Sequence, residues 1–400
     1  MGSGIVVAYS GGLDTSFCVP YLAERHGEPV ITVTVNTGGL TDEEARALEE
    51  RALALGAARH LTVDARARLF AETLRYLLMG NVLRGQVYPL CVGAERGVQA
   101  AVVAETARAV GARAVAHGCT AAGNDQVRFD VALRTLAPEL EILAPIRDEG
   151  LTREEEAAYL ARRGFPVSAQ RAAYSVNHGL WGCTIGGRET TDTVEPLPEE
   201  AWVLTRGAFD APRPPERHTL GFDGGVPTAW DGQPQEPVAL IEHLNRLAGG
   251  FGIGRGIHLG DTVLGVKGRV GFEAPAAVTL ITAHRELEKL TLTGRQQRVK
   301  DAVAQVYGDL VHEGLQGDPV GRDIEALLRS SQQRVTGEVR LLLRPGVVFV
   351  EGVRSPFSLR AASRAVYGER AAEWSGAEAR GLAKFLGMPG LLYARAGRQG

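Results

Sequence analysis

The stretch Ala8-Tyr9-Ser10-Gly11-Gly12-Leu13-Asp14-Thr15-Ser16 places two glycines, one acid and three hydroxyls directly after an apolar run, Ile5 to Ala8. Glycines there permit a sharp turn and let backbone N–H groups face outward. Together with the Ser10, Thr15 and Ser16 hydroxyls and the start of the following helix, those N–H groups make a nest for an anion. No lysine stands in G-x-x-x-x-G-K-[ST] spacing, so γ-phosphate transfer of the kinase type is not indicated. The loop suits pyrophosphate held as a leaving group, with Asp14 orienting the turn or reaching Mg2+. A bare Ser-Gly-Gly would read as a capped strand–helix turn. The added Asp14, Thr15 and Ser16 turn the reading toward the phosphates of a nucleotide.

A second set of chemistry-bearing residues lies in Ala116 to Asp130, "AHGCTAAGNDQVRFD". Gly118 allows a ligand to approach closely. Thr120, Asn124, Asp125 and Arg128 then crowd one turn with donors, acceptors and both signs of charge. That suits a zwitterionic amino acid: Thr120 and Asn124 for a carboxylate, Asp125 for an ammonium, Arg128 for an anion. Asn124 and Arg128 stand at i and i+4, on one helix face. The blander reading is a capped helix start with an internal Asp125–Arg128 or Arg128–Asp130 contact. His117 reads either as a general base or as a structural histidine fixed near the nucleotide. Cys119 reads as a small apolar filler.

The elements that must position these residues alternate through 4–165. Apolar runs near 4–10, 29–36, 59–64, 112–118 and 141–145 read as strands, and helical patterns lie between them. Helices are expected at 66–79 and 94–110, and capping boxes at Thr41/Glu44 and Thr152/Glu155 open two others. Such alternation implies an α/β fold, a parallel sheet covered by helices on both faces. Both site motifs then fall at carboxyl ends of strands, where open parallel sheets bind ligands. Residues 165–260 read as loop-rich, with prolines clustered between Pro196 and Pro237. The glycine-rich stretch 249–271 reads as turns and close packings, its Lys267 and Arg269 as surface charges or as contacts to an anion. Helices are expected at 275–292 and 295–314, a hairpin at Pro345-Gly346, and a terminal helix with an apolar extension.

Composition narrows the class. A chain of 400 residues suggests two or three domains. The net charge of −3 supplies no global field for nucleic acid or membrane. Cys18, Cys91, Cys119 and Cys183 are far apart, so neither a disulfide framework nor a zinc site is expected, and a reduced cytoplasm fits. No signal-like N-terminal segment precedes the first strand, and no apolar run reaches the ~18 residues of a membrane span.

The first motif resembles the pyrophosphate loop of the ATP pyrophosphatase (PP-loop) superfamily. "AYSGGLDTS" followed by "HG-x-T-x-x-GNDQVRF" resembles the argininosuccinate synthase family, and the likeness extends through "YSVNHGLWG", "GVKGRVGFE" and the C-terminal arm. The resemblance implies an α/β nucleotide-binding domain of adenine-nucleotide α-hydrolase type at 1–165, an α+β synthetase domain at 166–360 and a helical oligomerisation arm at 361–400. It implies a ligase of arginine biosynthesis that uses ATP with Mg2+, condenses citrulline with aspartate through a citrullyl-adenylate, and assembles as a homotetramer without nucleic acid or membrane partners. By position, Ala8, Tyr9, Ser10, Gly11, Gly12, Leu13, Asp14, Thr15, Ser16, Val35 and Gly118 match the ATP site. Thr120, Asn124 and Asp125 match the aspartate site, and Tyr88, Asn124, Arg128 and Ser175 match the citrulline site. Asp14, Asp125 and Arg128 are the candidate catalytic residues.

Departures gather in the citrulline set. The family's G-T-S-x-A-R-P reads "CVGAERG" at 91–97, so Gly93 replaces a contacting Ser while Arg96 keeps its place. Thr184 replaces a Ser, Gly260 a Glu, and Phe272 a Tyr. The expectation is that Glu95 and Asp261 rebuild the ammonium site. The alternatives are a modified citrulline or other ureido acceptor, or a PP-loop tRNA-modifying enzyme.

Overall fold

The computed structural model describes residues 4–165 and 174–398. The expected start of a second domain at residue 166 lies outside the described residues. The first sheet is parallel, in the order β3-β2-β1-β4-β5: β1 Ile5–Ala8, β2 Val30–Asn36, β3 Arg59–Asp64, β4 Ala114–His117 and β5 Glu141–Leu143. Ile5, Val6 and Val7 are fully buried. A strand covered on both faces needs such an uninterrupted apolar run. Between the strands lie α1 Leu13–His26, α2 Asp42–Ala54, α3 Arg66–Leu69, α4 Arg75–Met79, α5 Gly93–Val110 and α6 Asn124–Leu136; α7 Pro145–Glu149 and α8 Arg153–Ala161 follow β5. The expected helix over 66–79 is interrupted by one π-helical turn, Phe70–Leu74. The capping boxes of Thr41/Glu44 and Thr152/Glu155 both form.

The chain moves outward from β1 to β3 in one direction and from β4 to β5 in the other. The topological switch point therefore falls between β1 and β4, where Ala8 pairs in register with His117. Both glycine motifs leave the sheet at this crevice.

The loop-rich expectation for 165–260 is corrected. That region contains β6 Ser175–Gly179, β7 Gly182–Gly186, β8 Glu216–Asp223, β9 Val226–Trp230, the short β10 Gln233–Pro234 and α9 Pro237–Gly249. The glycine-rich stretch forms β11 Arg255–Asp261 and β12 Lys267–Glu273, an antiparallel pair in the order β11-β12-β7-β6. The next helices, α10 Pro275–Thr291 and α11 Gly294–Glu313, fall where periodicity places them; α12 Pro319–Gln332 was not anticipated. The hairpin of β13 Gly337–Arg344 and β14 Val347–Arg354 turns at Pro345-Gly346 and joins a third sheet, β10-β9-β8-β13-β14. These strands are stabilised by distant partners: β8 pairs with β13, more than a hundred residues away.

The chain divides into two compact units, Met1–Ser355 and Pro356–Gly400. The second holds α13 Leu359–Ala362 and α14 Gly376–Ala396, opened by a Ser375/Glu378 capping box and continuous through Pro389. Leu382, Phe385, Leu386, Leu391, Leu392 and Tyr393 of α14 are all exposed.

Candidate active site

The Ser10–Ser16 turn is built to leave donors free. Gly12 is the N-cap of α1 and supplies no side-chain cap, so the first N–H groups of the helix stay open to an anion. Gly11 takes a left-handed φ of 74°, and Arg51 Nη1 donates to its carbonyl at 3.0 Å. Thr15 Oγ1 accepts from the Ser10 N–H at 3.3 Å and meets Ser10 Oγ at 3.2 Å. Ser16 departs from the expected nest: it is fully buried, and its hydroxyl turns back to the Gly11 carbonyl at 3.5 Å. It buttresses the turn from inside.

A cavity of ≈ 520 Å³ opens over this turn. Ala8, Tyr9, Ser10, Gly12, Leu13, Asp14, Thr15, Val35 and Gly118 line it. Gly118 approaches the loop so closely that a Cβ there would lie 3.0 Å from Asp14 C and Thr15 N. A second cavity, also ≈ 520 Å³, is lined by Tyr88, Gly93, Thr120, Asn124, Asp125, Arg128, Ser175, Thr184 and Gly260. Asp14, Gly118, Cys119, Asp125 and Asn177 line both, so the two cavities meet at this wall. The N-cap of α6, Gly123, again lacks a side-chain cap and leaves helix N–H groups open beside the second cavity.

Asp125 sits between two guanidiniums, 3.0 Å from Arg96 Nη2 and 2.8 Å from Arg128 Nη1. Burial pushes its carboxyl up, but Arg96 and then Arg128 outweigh burial and hold it at about 2. The internal Asp125–Arg128 pair is therefore present. Arg128 is tied further, donating Nε–H to the His312 carbonyl at 2.6 Å and meeting His312 Nδ1 at 3.2 Å. Arg128 still lines the second cavity, and the one Asp125 carboxylate shared with Arg96 leaves the trio with a net positive charge there. Asn124 Oδ1 accepts from the Val263 N–H at 2.9 Å, which ties α6 to the β11–β12 hairpin.

His117 is a structural residue. Its Nδ1 accepts from the Cys119 N–H at 3.3 Å, which leaves the proton on Nε2 for Asp130 at 3.0 Å. With both nitrogens engaged, it is not poised as a general base. Burial pushes the Cys119 thiol up to about 12, in keeping with the filler reading.

The two expected replacement acids separate. Glu95 lines the first cavity, not the second, and is almost fully buried. Thr37 Oγ1 donates to its Oε2 at 3.0 Å, while Oε1 lies where a Gly179 Cβ would be. Burial raises it to about 8, against the pull of Arg96 and Thr37. The expectation that Glu95 rebuilds the ammonium site beside Tyr88 is thus corrected. Asp261 does line the second cavity, paired with Lys267 Nζ at 2.5 Å. Phe272 faces away: it is buried behind Tyr88, ring centroids 5.2 Å apart. Arg269 donates to the carbonyls of Glu189, Asp192 and Glu195 and braces the loop after β7.

Sequence reasoning missed Arg153, Asn177, His258 and His312. Arg153 Nη1 reaches Asp14 at 3.2 Å, and the His258 ring stacks on Tyr88 at 5.3 Å. Asn177 stands in the quoted YSVNHGLWG stretch and Arg153 in the Thr152/Glu155 capping box, but the partners of all four come from other elements. Among the described residues, no cluster of three or more His, Cys, Asp or Glu could hold a metal, and no helix is long and apolar enough to cross a membrane.

Fold and site together define a pyrophosphate-loop α/β protein whose nucleotide cavity abuts a second, polar cavity. Family models agree in detail. The arginosuccinate synthase N-terminal HUP domain matches residues 4–166, and the arginosuccinate synthase C-terminal domain matches 174–393. The chain is 44% identical to the argininosuccinate synthase of Xanthomonas campestris over 98% of this chain and 99% of that one. It is 39% identical to the enzyme of that name from Methanocaldococcus jannaschii, over 97% of each chain. It is 40% identical to the one from a Synechococcus species, over 98% of each. The chain belongs to the argininosuccinate synthase family.

Proposed function

We propose that this protein is an argininosuccinate synthase, condensing citrulline with aspartate at the expense of ATP and releasing AMP and pyrophosphate. One observation carries the reading: two cavities, one over an uncapped glycine turn and one beside an uncapped α6, share the wall of Asp14, Gly118 and Asp125. A triphosphate in the first places its α-phosphorus beside an amino acid in the second. The residues present fit ATP, because the open α1 N–H groups and Arg153 offer donors and positive charge to phosphates. Mg2+, travelling with the phosphates, would meet the Asp14 carboxylate.

This chain's groups position and stabilise; a protein base is not required. The ureido oxygen is itself nucleophilic, and the departing phosphates can take the amine's proton. Holding reactants in contact supplies much of the acceleration in such chemistry. The α6 N-terminus and Thr120 hold the aspartate carboxylate, and Asp125, braced by Arg96 and Arg128, orients its ammonium. Tyr88 and Ser175 line the citrulline end. Asp261, at the end of β11, lines the second cavity and complements the α-ammonium of the acceptor. Residues 1–165, 166–360 and 361–400 are assigned as nucleotide-binding, synthetase and oligomerisation segments, the exposed apolar stripe of α14 serving homotetramer assembly.

Pyrophosphate release with ATP, citrulline and labelled aspartate tests the reading. Release must require both amino acids and yield labelled argininosuccinate. Release without either amino acid, or none with both, would refute it. Asp261→Asn should raise the citrulline KM while leaving the ATP KM unchanged.

A further inference from the structure

Five described residues line both cavities: Asp14, Gly118, Cys119, Asp125 and Asn177. A wall where a phosphate is attacked needs hydrogen-bond donors, because negative charge gathers on the phosphate oxygens as the reaction proceeds. Four of the five offer no strong side-chain donor. Asp14 and Asp125 are carboxylates, each paired with arginine. Gly118 has no side chain, and the Cys119 thiol is a weak donor. Asn177 carries a carboxamide.

Asn177 lies on β6, an edge strand of its sheet, and pairs in register with Thr184 on β7. Directly opposed residues of an antiparallel pair share a face, and so do residues two apart on one strand. Ser175, Asn177 and Thr184 therefore form one row, and all three line the second cavity. Asn177 is the member of the row that reaches the first cavity as well.

Chemistry fixes the orientation of its amide. Arg96 Nη2 meets Asn177 Oδ1 at 3.3 Å, and a guanidinium only donates, so the amide oxygen faces Arg96. Arg96 is itself held: Nη2 also reaches Asp125 at 3.0 Å, and Nη1 donates to Gln99 Oε1 at 2.8 Å. Nδ2 is left on the other side of the amide. No described residue accepts from it, and Asn177 is exposed, so its N–H groups stay open at the shared wall.

We propose that Asn177 is a catalytic residue, its Nδ2–H donating to a non-bridging oxygen of the α-phosphate and stabilising that oxygen as the ureido oxygen attacks. The proposal rests on the reading of the two cavities as nucleotide and amino acid sites. In that step the ureido O–Pα bond forms and the Pα–O bond to pyrophosphate breaks, its electron pair leaving with pyrophosphate. Asn177 keeps its proton throughout.

The test uses the full-length protein with two probes. One is ATP carrying sulfur at either non-bridging position of the α-phosphate. The other is α,β-methylene ATP, which binds but cannot release pyrophosphate. Wild type should turn over one α-thio diastereomer about tenfold faster than the other, and the same one with Mg2+ as with Cd2+, because the discriminating partner is an N–H group and not the metal. Asn177→Ala should lose that preference and turn over ATP about a hundredfold more slowly. It should still bind α,β-methylene ATP within about threefold of wild type by calorimetry, since the donor acts chiefly as charge develops. A wild type indifferent to the diastereomer, or a preference that reverses with Cd2+, overturns the proposal without any variant. So does Asn177→Ala with the wild-type preference or turnover, or one that no longer binds α,β-methylene ATP, which would make the residue structural. Failure of wild type to bind α,β-methylene ATP overturns the nucleotide reading itself, and this proposal with it.

Discussion

Replacing Asp125 with Asn removes a single negative charge from between two guanidiniums and changes almost nothing in shape. Arg96 and Arg128 are nearly buried and lie 3.0 and 2.8 Å from the carboxylate. A carboxyl held at about 2, against an ordinary 3.8, corresponds to about 2.5 kcal/mol of folding free energy. The Asp125 side chain is 30% exposed, so solvent screening lowers that to roughly 1–2 kcal/mol. The stranded guanidiniums repel each other and add to the loss. Urea unfolding of the two proteins at pH 7 should differ by about 2 kcal/mol. The sign with pH follows from the depressed carboxyl. Its contribution is complete above 3.8 and is lost as pH falls toward 2, so the difference stays constant down to about pH 4 and narrows below. A cycle with Arg96→Met should return a coupling near 1 kcal/mol. If Asp125→Asn unfolds within about 0.5 kcal/mol of wild type at pH 7, as an uncoupled surface change would, the double-arginine account is wrong.

Other outcomes are sharp. Gly118→Ala pushes a methyl into the backbone of Asp14 and Thr15, so the ATP KM should rise about ten- to hundredfold in a pyrophosphate-release assay. Gly11→Ala strains a left-handed position, costing about 1–2 kcal/mol in denaturant unfolding before any effect on binding. Thr41→Ala breaks the capping box of α2 and should lower stability by about 1 kcal/mol with turnover unchanged. Trp181→Ala empties a fully buried site and loses the indole bond to the Pro89 carbonyl, about 3–5 kcal/mol by unfolding.

The sequence by itself determined the nucleotide half. Its central strand is a continuous apolar run, two of its helices open on their own capping boxes, and its phosphate turn needs glycines that stand next to one another in the chain. Those are local physical requirements, so local text records them: β3 runs from Arg59 to Asp64 as read, and Thr41 and Thr152 cap as read. Tertiary structure alone decided the acceptor half. The strands from Ser175 to Pro234 lack a strong period because distant partners stabilise them, as β13 does β8. α9 shows the opposite failure, since its apolar spacing was legible and was hidden among prolines. Only packing could show that Glu95 faces the nucleotide side, that Phe272 turns from the cavity, and that His312 occupies Arg128. A side chain's charge is written in the sequence, but the partner that neutralises it comes from another element. Which charges remain open to a substrate is therefore fixed only when the elements meet.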